Sequence, residues 1–339
     1  MHKSIVLCDA LSTEYLQEIE NFLTEWESNK TTIVVHTSGS TGAPKEITLT
    51  KDAVRESAKA TGKFFGFKSG QSLLLNLSPN YIAGKLMIVR ALEYGMKIKV
   101  VANRQNPLLY LNELETDFAA FVPYQVEAIL ADEKSKQLYE AIPNVIIGGA
   151  RISPSLERQL SSLSNQNYAT FGMTETITHI ALRNVTNSDS FYSCLPGITV
   201  GTDSRECLVI AKNKISEEII TNDLVTLIDE STFIWRGRVD NIINSGGIKI
   251  FPEELEQKIG PLLTDQQFYF FGRESEKFGQ ELVLYIEGEK PTNWNEIELE
   301  VKTLLDGKIE LKIPKKFGIM SEELMKLKYP SERRPTLVY

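Results

Sequence analysis

Apolar residues in the first two thirds of the chain fall into short runs separated by longer amphipathic stretches. Thr32–His36 is a β-branched run, the pattern of a buried strand. Gln71–Leu77, Lys97–Ala102, Asp117–Val122 and Asn144–Ile147 read the same way. Between them the spacing predicts helices over 51–65, 83–94, 107–114, 124–131 and 154–163. Ser153 before Pro154 is a helix start, with a hydroxyl cap and proline in the first turn. Residues 1–30 predict a short strand and then an acidic amphipathic helix. Strand–helix alternation of this kind predicts an α/β fold whose sheet is mostly parallel and covered by helices. In such sheets ligands sit at the carboxyl ends of the strands.

The pattern changes after about residue 240. Ser245-Gly246-Gly247 reads as a loop, and Pro252-Glu253-Glu254-Leu255-Glu256 as a helix start. Glu281–Glu287 alternates like a half-buried strand, 295–305 is helical, and Lys316–Met320 is a further strand. The expected organisation is a large N-terminal domain, 1–239, and a small C-terminal α+β domain, 240–339, joined at a hinge.

Composition narrows the function. The chain has 339 residues, 24% of them charged, with a net charge of −8. That is an ordinary globular composition, and its sign opposes nucleic acid as the main partner. Cys8, Cys194 and Cys207 are scattered and form no C-x-x-C pair, which argues against a zinc cluster and a disulfide framework. The N-terminal apolar run stops at Asp9, too short for a signal peptide, and no stretch approaches membrane-spanning length. A cytoplasmic address is the expectation.

Three segments carry candidate chemistry. Thr37-Ser38-Gly39-Ser40-Thr41-Gly42-Ala43-Pro44-Lys45 directly follows a strand. Small residues let the backbone approach an anion closely, and hydroxyls and a lysine add donors. It is neither a Walker A loop nor a dinucleotide fingerprint. Thr170-Phe171-Gly172-Met173-Thr174-Glu175-Thr176 places a hydroxyl and a carboxylate beside a glycine, a combination that can hold Mg²⁺ near phosphate. Trp235-Arg236-Gly237-Arg238-Val239-Asp240 leads into Ser245-Gly246-Gly247-Ile248-Lys249-Ile250-Phe251-Pro252-Glu253-Glu254-Leu255-Glu256.

Together these segments resemble the adenylate-forming superfamily of acyl- and aryl-CoA synthetases: its T-S-G-S-T-G-x-P-K loop, its Y-G-x-T-E motif with Phe171 for tyrosine, and its G-R-x-D…G-G-x-K-I-x-P-x-E run, in family order. The resemblance implies a two-step reaction. A carboxylate attacks the α-phosphorus of ATP to give an acyl-adenylate and pyrophosphate. A thiol, usually that of coenzyme A, then displaces AMP while the small domain rotates. Mg²⁺ and ATP are the implied cofactors, and coenzyme A the implied co-substrate.

The resemblance also implies roles. Thr37, Ser38, Gly39, Ser40, Thr41, Gly42 and Lys45 would hold the β- and γ-phosphates. Gly148, Gly149, Ala150, Phe171 and Gly172 would border adenine. Thr174 would touch the α-phosphate, and Glu175 would bind Mg²⁺. Asp223, in Thr221-Asn222-Asp223 for the family's T-G-D, would accept the ribose hydroxyls, with Arg238 nearby. Asp240 would be the hinge, and Gly246 and Gly247 would border the pantetheine tunnel. The C-terminal catalytic lysine falls on Lys326, with Lys328 the competing choice. Asn in place of the T-G-D glycine is compatible with a tight turn.

The acid is read from Leu77–Arg90, at the place of the family's P-x-x-H-x-x-G motif. Tyr81 takes the histidine position; Lys85 and Arg90 follow, five apart and so not on one helix face. Within the family the Y-I-A-G-K-x-M, I-I-G-G-A-x-I-S and T-E-T-x-x-H-I-A-L-R segments are similar to those of o-succinylbenzoate–CoA ligases of menaquinone biosynthesis. That acid is a dianion, which suits a basic pocket, and His179 joins Tyr81, Lys85 and Arg90 as a candidate contact. His179 and Arg183 would share a face if their segment is helical. Another aryl- or acyl-CoA ligase, a stand-alone adenylation protein loading a carrier, and a non-catalytic nucleotide-binding protein are the alternatives. The phosphate loop lies near the start of the chain, so the flanking N-terminal subdomain is expected to be shortened, with a homodimer as one way of covering the sheet.

Overall fold

The computed structural model describes residues 2–36, 46–173, 176–212, 218–263, 268–286 and 291–304. In chain order the elements begin β1 (Ile5–Leu7), α1 (Thr13–Glu27), β2 (Thr32–His36), β3 (Glu46–Thr50), α2 (Lys51–Phe65), β4 (Ser72–Leu75), α3 (Ile82–Tyr94) and β5 (Lys97–Val100). They continue β6 (Phe118–Phe121), α4 (Pro123–Leu130), α5 (Glu133–Glu140), β7 (Asn144–Ile147), α6 (Pro154–Ser161), β8 (Gln166–Gly172), β9 (His179–Asn184) and β10 (Tyr192–Cys194). Then come β11 (Ile198–Thr202), β12 (Cys207–Lys212), β13 (Ile219–Asp229), β14 (Thr232–Arg238), β15 (Ile243–Ser245), β16 (Ile248–Ile250), α7 (Pro252–Ile259), β17 (Phe268–Ser275), β18 (Gly279–Ile286) and α8 (Trp294–Leu304).

The chain divides into two compact units, one of Met1–Thr199 with Ala211–Ile219, the other of Val200–Ile210 with Ile220 onward. In the first unit the strand order is β1-β5-β4-β6-β7-β8-β9-β10. The pairs from β1 to β8 are parallel; β8/β9 and β9/β10 are antiparallel. Alternation along the strands sends side chains to two separate cores. Leu73, Leu75, Phe118 and Ile146 pack with α1, α2 and α3. Leu74, Phe121, Val145 and Ile147 pack with α4, α5 and α6 on the other face. This is the helix-covered parallel sheet that the alternation predicts. β2 and β3 form a separate antiparallel pair with His36 opposite Glu46, so the ends of the segment between them are held one strand apart.

The second unit holds the order β14-β13-β12-β11 and a four-stranded sheet, β16-β15-β18-β17. The four-stranded sheet packs on α7 and α8 around Phe270, Leu282, Ile259 and Ile297. The contacts thus gather part of the chain before Asp240 into the second unit, and a functional boundary at 240 stands as a proposal. No helix among the described residues is long and apolar enough to cross a membrane.

At three places the elements differ from the sequence pattern or go beyond it. Residues 107–110 form a turn and 111–114 are irregular, because the Asn106 carboxamide accepts from the Leu108 amide and competes with helical bonding. His179–Asn184 is a strand, not a helix. Glu46–Thr50 is a strand that the sequence pattern did not single out. The strand expected at Lys316–Met320 lies outside the described residues.

Candidate functional site

A cavity of ≈ 230 Å³ opens at the carboxyl ends of β6, β7 and β8, below the first turns of α3. This is where a parallel sheet leaves room for a ligand. The walls are largely apolar, including Ile82, Leu86, Phe121, Ile146 and Ile177; the polar side chains are Arg90, Thr170, Thr178 and His179. Gly148 and Gly149 line it too. A Cβ on Gly148 would stand 2.2 Å from Thr170 Oγ1, so glycine there lets the tips of β7 and β8 close the floor. The volume lies below the range of roughly 300–1,000 Å³ usual for drug-sized ligands, which suits a small acid.

Arg90 projects from α3 into this cavity and is 2% exposed. One terminal nitrogen donates to Met87 Sδ at 3.4 Å, and Nε has no hydrogen-bond partner among the described residues. No carboxylate among the described residues pairs with it. Burial pulls its pKa down to about 9, so it stays charged at neutral pH. A buried cation without a counterion is unfavourable by itself and becomes favourable when an anion arrives.

His179, at the start of β9, is buried on the same cavity. Its Nε2 lies 3.3 Å from Thr61 Oγ1 on α2, and its Nδ1 lies 3.3 Å from Thr178 Oγ1. Burial, and then the nearby Arg90 charge, hold its pKa well below the ordinary value, so the imidazole is neutral. The turn before it is strained: Ile177 has φ 72°, a conformation that β-branched residues rarely adopt. The Thr176 hydroxyl braces that turn, accepting from the Met173 amide at 2.9 Å. Thr176 and Thr61 were not legible as site residues. Thr176 sits beside a motif, but Thr61 is 118 residues from its partner in sequence.

Lys85, expected at the acid, turns away from the cavity. Its ammonium lies 3.6 Å from Glu25 and 4.5 Å from the centroid of the Phe22 ring, both on α1. Tyr81 precedes α3, is 56% exposed and is not among the cavity-lining residues. Arg183 pairs with Glu157 and also misses the cavity. Phe171, half-buried on β8, meets Tyr192 edge to face with ring centroids 5.6 Å apart. Ala150 follows the Gly148–Gly149 tip and is exposed. Thr37 through Lys45, Thr174, Glu175, Lys326 and Lys328 lie outside the described residues.

The second unit gathers another group of the expected residues. Asp223 on β13 stands opposite Arg238 on β14. Asp223 is buried, and its Oδ1 accepts from Trp235 Nε1 at 2.9 Å. Asp240 Oδ2 accepts from Arg238 at 3.0 Å and from Asn222 Nδ2 at 3.3 Å. The asparagine in place of the T-G-D glycine therefore makes a bond that glycine cannot make. Gly246 and Gly247 form the two-residue turn between β15 and β16, with φ 58° and 84°. Positive φ at both positions is what a tight hairpin of this kind requires.

Residues 7–202 match the family described as AMP-binding enzyme. The chain is similar to 2-succinylbenzoate–CoA ligase of Haemophilus influenzae, 25% identical over 298 residues that make up 84% of this chain and 65% of the relative. It thus spans less than two thirds of that protein's length. It is also similar to the solved structure of an acyl-CoA synthetase (AMP-forming)/AMP-acid ligase II-like protein from Dyadobacter fermentans. There the TM-score is 0.65 and the identity 33%, over 92% of this chain and 91% of that one. A third similarity, at 20% identity and TM-score 0.66 over 84% of this chain and 65% of the other, is to o-succinylbenzoate CoA synthetase from Bacillus subtilis in complex with an acyl-adenylate intermediate. At that identity the likeness speaks for the fold alone.

Proposed function

The chain belongs to the AMP-binding enzyme family, and from that premise we infer that it activates a small carboxylic acid with ATP and passes it to a thiol, the acid being a dicarboxylate such as o-succinylbenzoate. In the first step a carboxylate oxygen attacks the α-phosphorus, and the bond to the β-phosphate breaks to release pyrophosphate. In the second, a thiol sulfur attacks the acyl carbonyl and AMP leaves. Coenzyme A is the proposed thiol donor.

The observation that carries the substrate reading is Arg90, a buried guanidinium lining the cavity without a carboxylate partner among the described residues. A carboxylate of the acid would supply that partner through charge-assisted hydrogen bonds. The apolar wall formed by Leu86, Phe121 and Ile146 suits an aromatic ring. The name of the Haemophilus influenzae relative supports the same acid.

The remaining roles follow the motifs. Thr37 through Lys45 would cradle the β- and γ-phosphates, Thr174 would reach the α-phosphate, Phe171 would lie against adenine, and Asp223 would accept the ribose hydroxyls. Among the described residues no three His, Cys, Asp or Glu side chains cluster as a metal cage. Magnesium does not need one, since one or two carboxylates beside substrate phosphates suffice. Glu175 would supply such a carboxylate, and the ion would neutralise phosphate charge. The residues around the cavity would meanwhile orient the acid and exclude water.

The test is pyrophosphate release with ATP, Mg²⁺ and a panel of mono- and dicarboxylic aromatic acids, with and without coenzyme A. Release specific to o-succinylbenzoate, with thioester formed only when coenzyme A is added, is expected. Release with a different acid would keep the reaction and discard the substrate. Silence across the panel would overturn both.

A further inference from the structure

The geometry points to Thr61 as a positioning residue for the acid cavity, fixing His179 as the neutral tautomer that carries its proton on Nε2. This deepens the proposed function and rests on it where the acid is concerned. Thr61 lies on α2, is fully buried, and does not itself line the cavity. Its hydroxyl has one proton, and the Ser57 carbonyl one turn back, at 3.3 Å, is an acceptor placed to take it. With its proton on that carbonyl, the same oxygen accepts from His179 Nε2, at 3.3 Å. The proton of the neutral imidazole is thereby assigned to Nε2, and Nδ1 is left with a lone pair.

The other side of the ring is compatible with that tautomer. Thr178 Oγ1 stands 3.3 Å from Nδ1 and can donate to that lone pair. Two hydroxyls, one accepting and one donating, clamp the ring at both nitrogens. Thr178 and His179 both line the cavity. The ring's only N–H is committed to α2, away from the acid, so Arg90 is the cationic donor among the described lining residues. A misoriented imidazole would present an N–H to the cavity and blur the preference for an anion at Arg90.

Two measurements test this. The first is long-range proton–nitrogen NMR of the imidazoles at pH 7.5. The chain has three histidines, and His179→Gln identifies the signal of interest. An Nε2–H pattern for His179 is expected, and an Nδ1–H pattern overturns the proposal. No substrate is needed, so this result stands even if the proposed acid is wrong. The second compares Thr61→Val with Thr61→Ser, using whichever acid supports pyrophosphate release. Thr61→Val should raise the KM for the acid about fivefold, leave kcat and the KM for ATP within about twofold, and shift the NMR pattern toward a mixture of tautomers. Thr61→Ser, which keeps the hydroxyl, should restore both. An unchanged tautomer and acid KM in Thr61→Val would overturn the proposal. So would equal losses in acid and ATP parameters, which mark a general packing defect. If Thr61→Val does not fold, Thr61→Ser alone decides: a wild-type tautomer with wild-type acid KM is expected, and a mixed pattern sinks the assignment.

Discussion

Arg90 and Lys85 show how far a single residue can be read from sequence. Both are cations on one helix, α3, and five residues of helical twist put them on different faces. Sequence could not say which face met the ligand, because that depends on what packs against the helix. Apolar residues of α1 cover one face, and there Lys85 meets Glu25 and Phe22. The opposite face opens on the cavity, and there no carboxylate among the described residues pairs with Arg90. An unpaired buried charge destabilises the free protein while it prepares a site for an anion. Arg90→Gln should therefore act in two directions. The KM for a dicarboxylic acid should rise about 10- to 100-fold, the equivalent of about 1.5–3 kcal/mol for a hydrogen bond to a charged group. The thermal midpoint should rise, since the unpaired charge is gone. A melting curve and an acid titration on the same preparation check both; a lower midpoint with unchanged KM would refute the reading. The sign with pH follows. Arg90 is cationic below its pKa of about 9 and loses charge above it, so kcat/KM for the acid should fall as pH rises past 9.

At the scale of elements, the sheet was legible and its connections less so. Period-two alternation in β4, β6 and β7 sends neighbours such as Leu73 and Leu74 to opposite cores, and both faces were covered as the helical stretches predicted. Missed assignments have local causes. Asn106 turns the chain where apolar spacing suggested a helix, and His179–Asn184 carries an apolar run too short to separate strand from helix. Close approaches between elements were also invisible, because they appear only in three dimensions. Gly84 in α3 is one. A Cβ there would stand 2.3 Å from the Ser78 carbonyl oxygen, in the loop that leads to the helix. Gly84→Ala should cost about 1–3 kcal/mol of stability, measured by denaturant unfolding, and should raise the acid KM because Leu77 and Ile82 line the cavity. The β13/β14 pair gives a second case. Trp235 Nε1 holds the Asp223 carboxylate from twelve residues away. Trp235→Phe keeps the ring and deletes the donor, so the KM for ATP should rise about fivefold, near 1 kcal/mol, with the acid KM unchanged. Equal changes in both would mean that the tryptophan serves packing alone.

At the scale of the whole molecule, the proposed chemistry asks one chain to stabilise two different transition states. In adenylation, charge builds on the phosphate oxygens of ATP, and a cation aimed at them lowers the barrier. In thioester formation that charge is no longer building, and the thiol needs access to a carbonyl instead. A lysine serving only the first step should therefore separate the two half-reactions when it is removed. The sequence offers Lys326 for that role, followed by Leu327 as the family pattern requires, and Lys328 two residues later. Lys326→Ala should lower pyrophosphate release about 10²- to 10³-fold, the range measured for losing one transition-state donor. Thioester formation from supplied acyl-adenylate and coenzyme A should stay within a few-fold of wild type. Lys328→Ala should leave both steps nearly intact. If the two variants exchange behaviour, the role belongs to Lys328; if neither separates the half-reactions, the adenylation cation is elsewhere in the chain. Because supplied acyl-adenylate bypasses the first step, retained thioester formation also proves that the Lys326 variant is folded, so a loss of pyrophosphate release in it reports chemistry and not collapse.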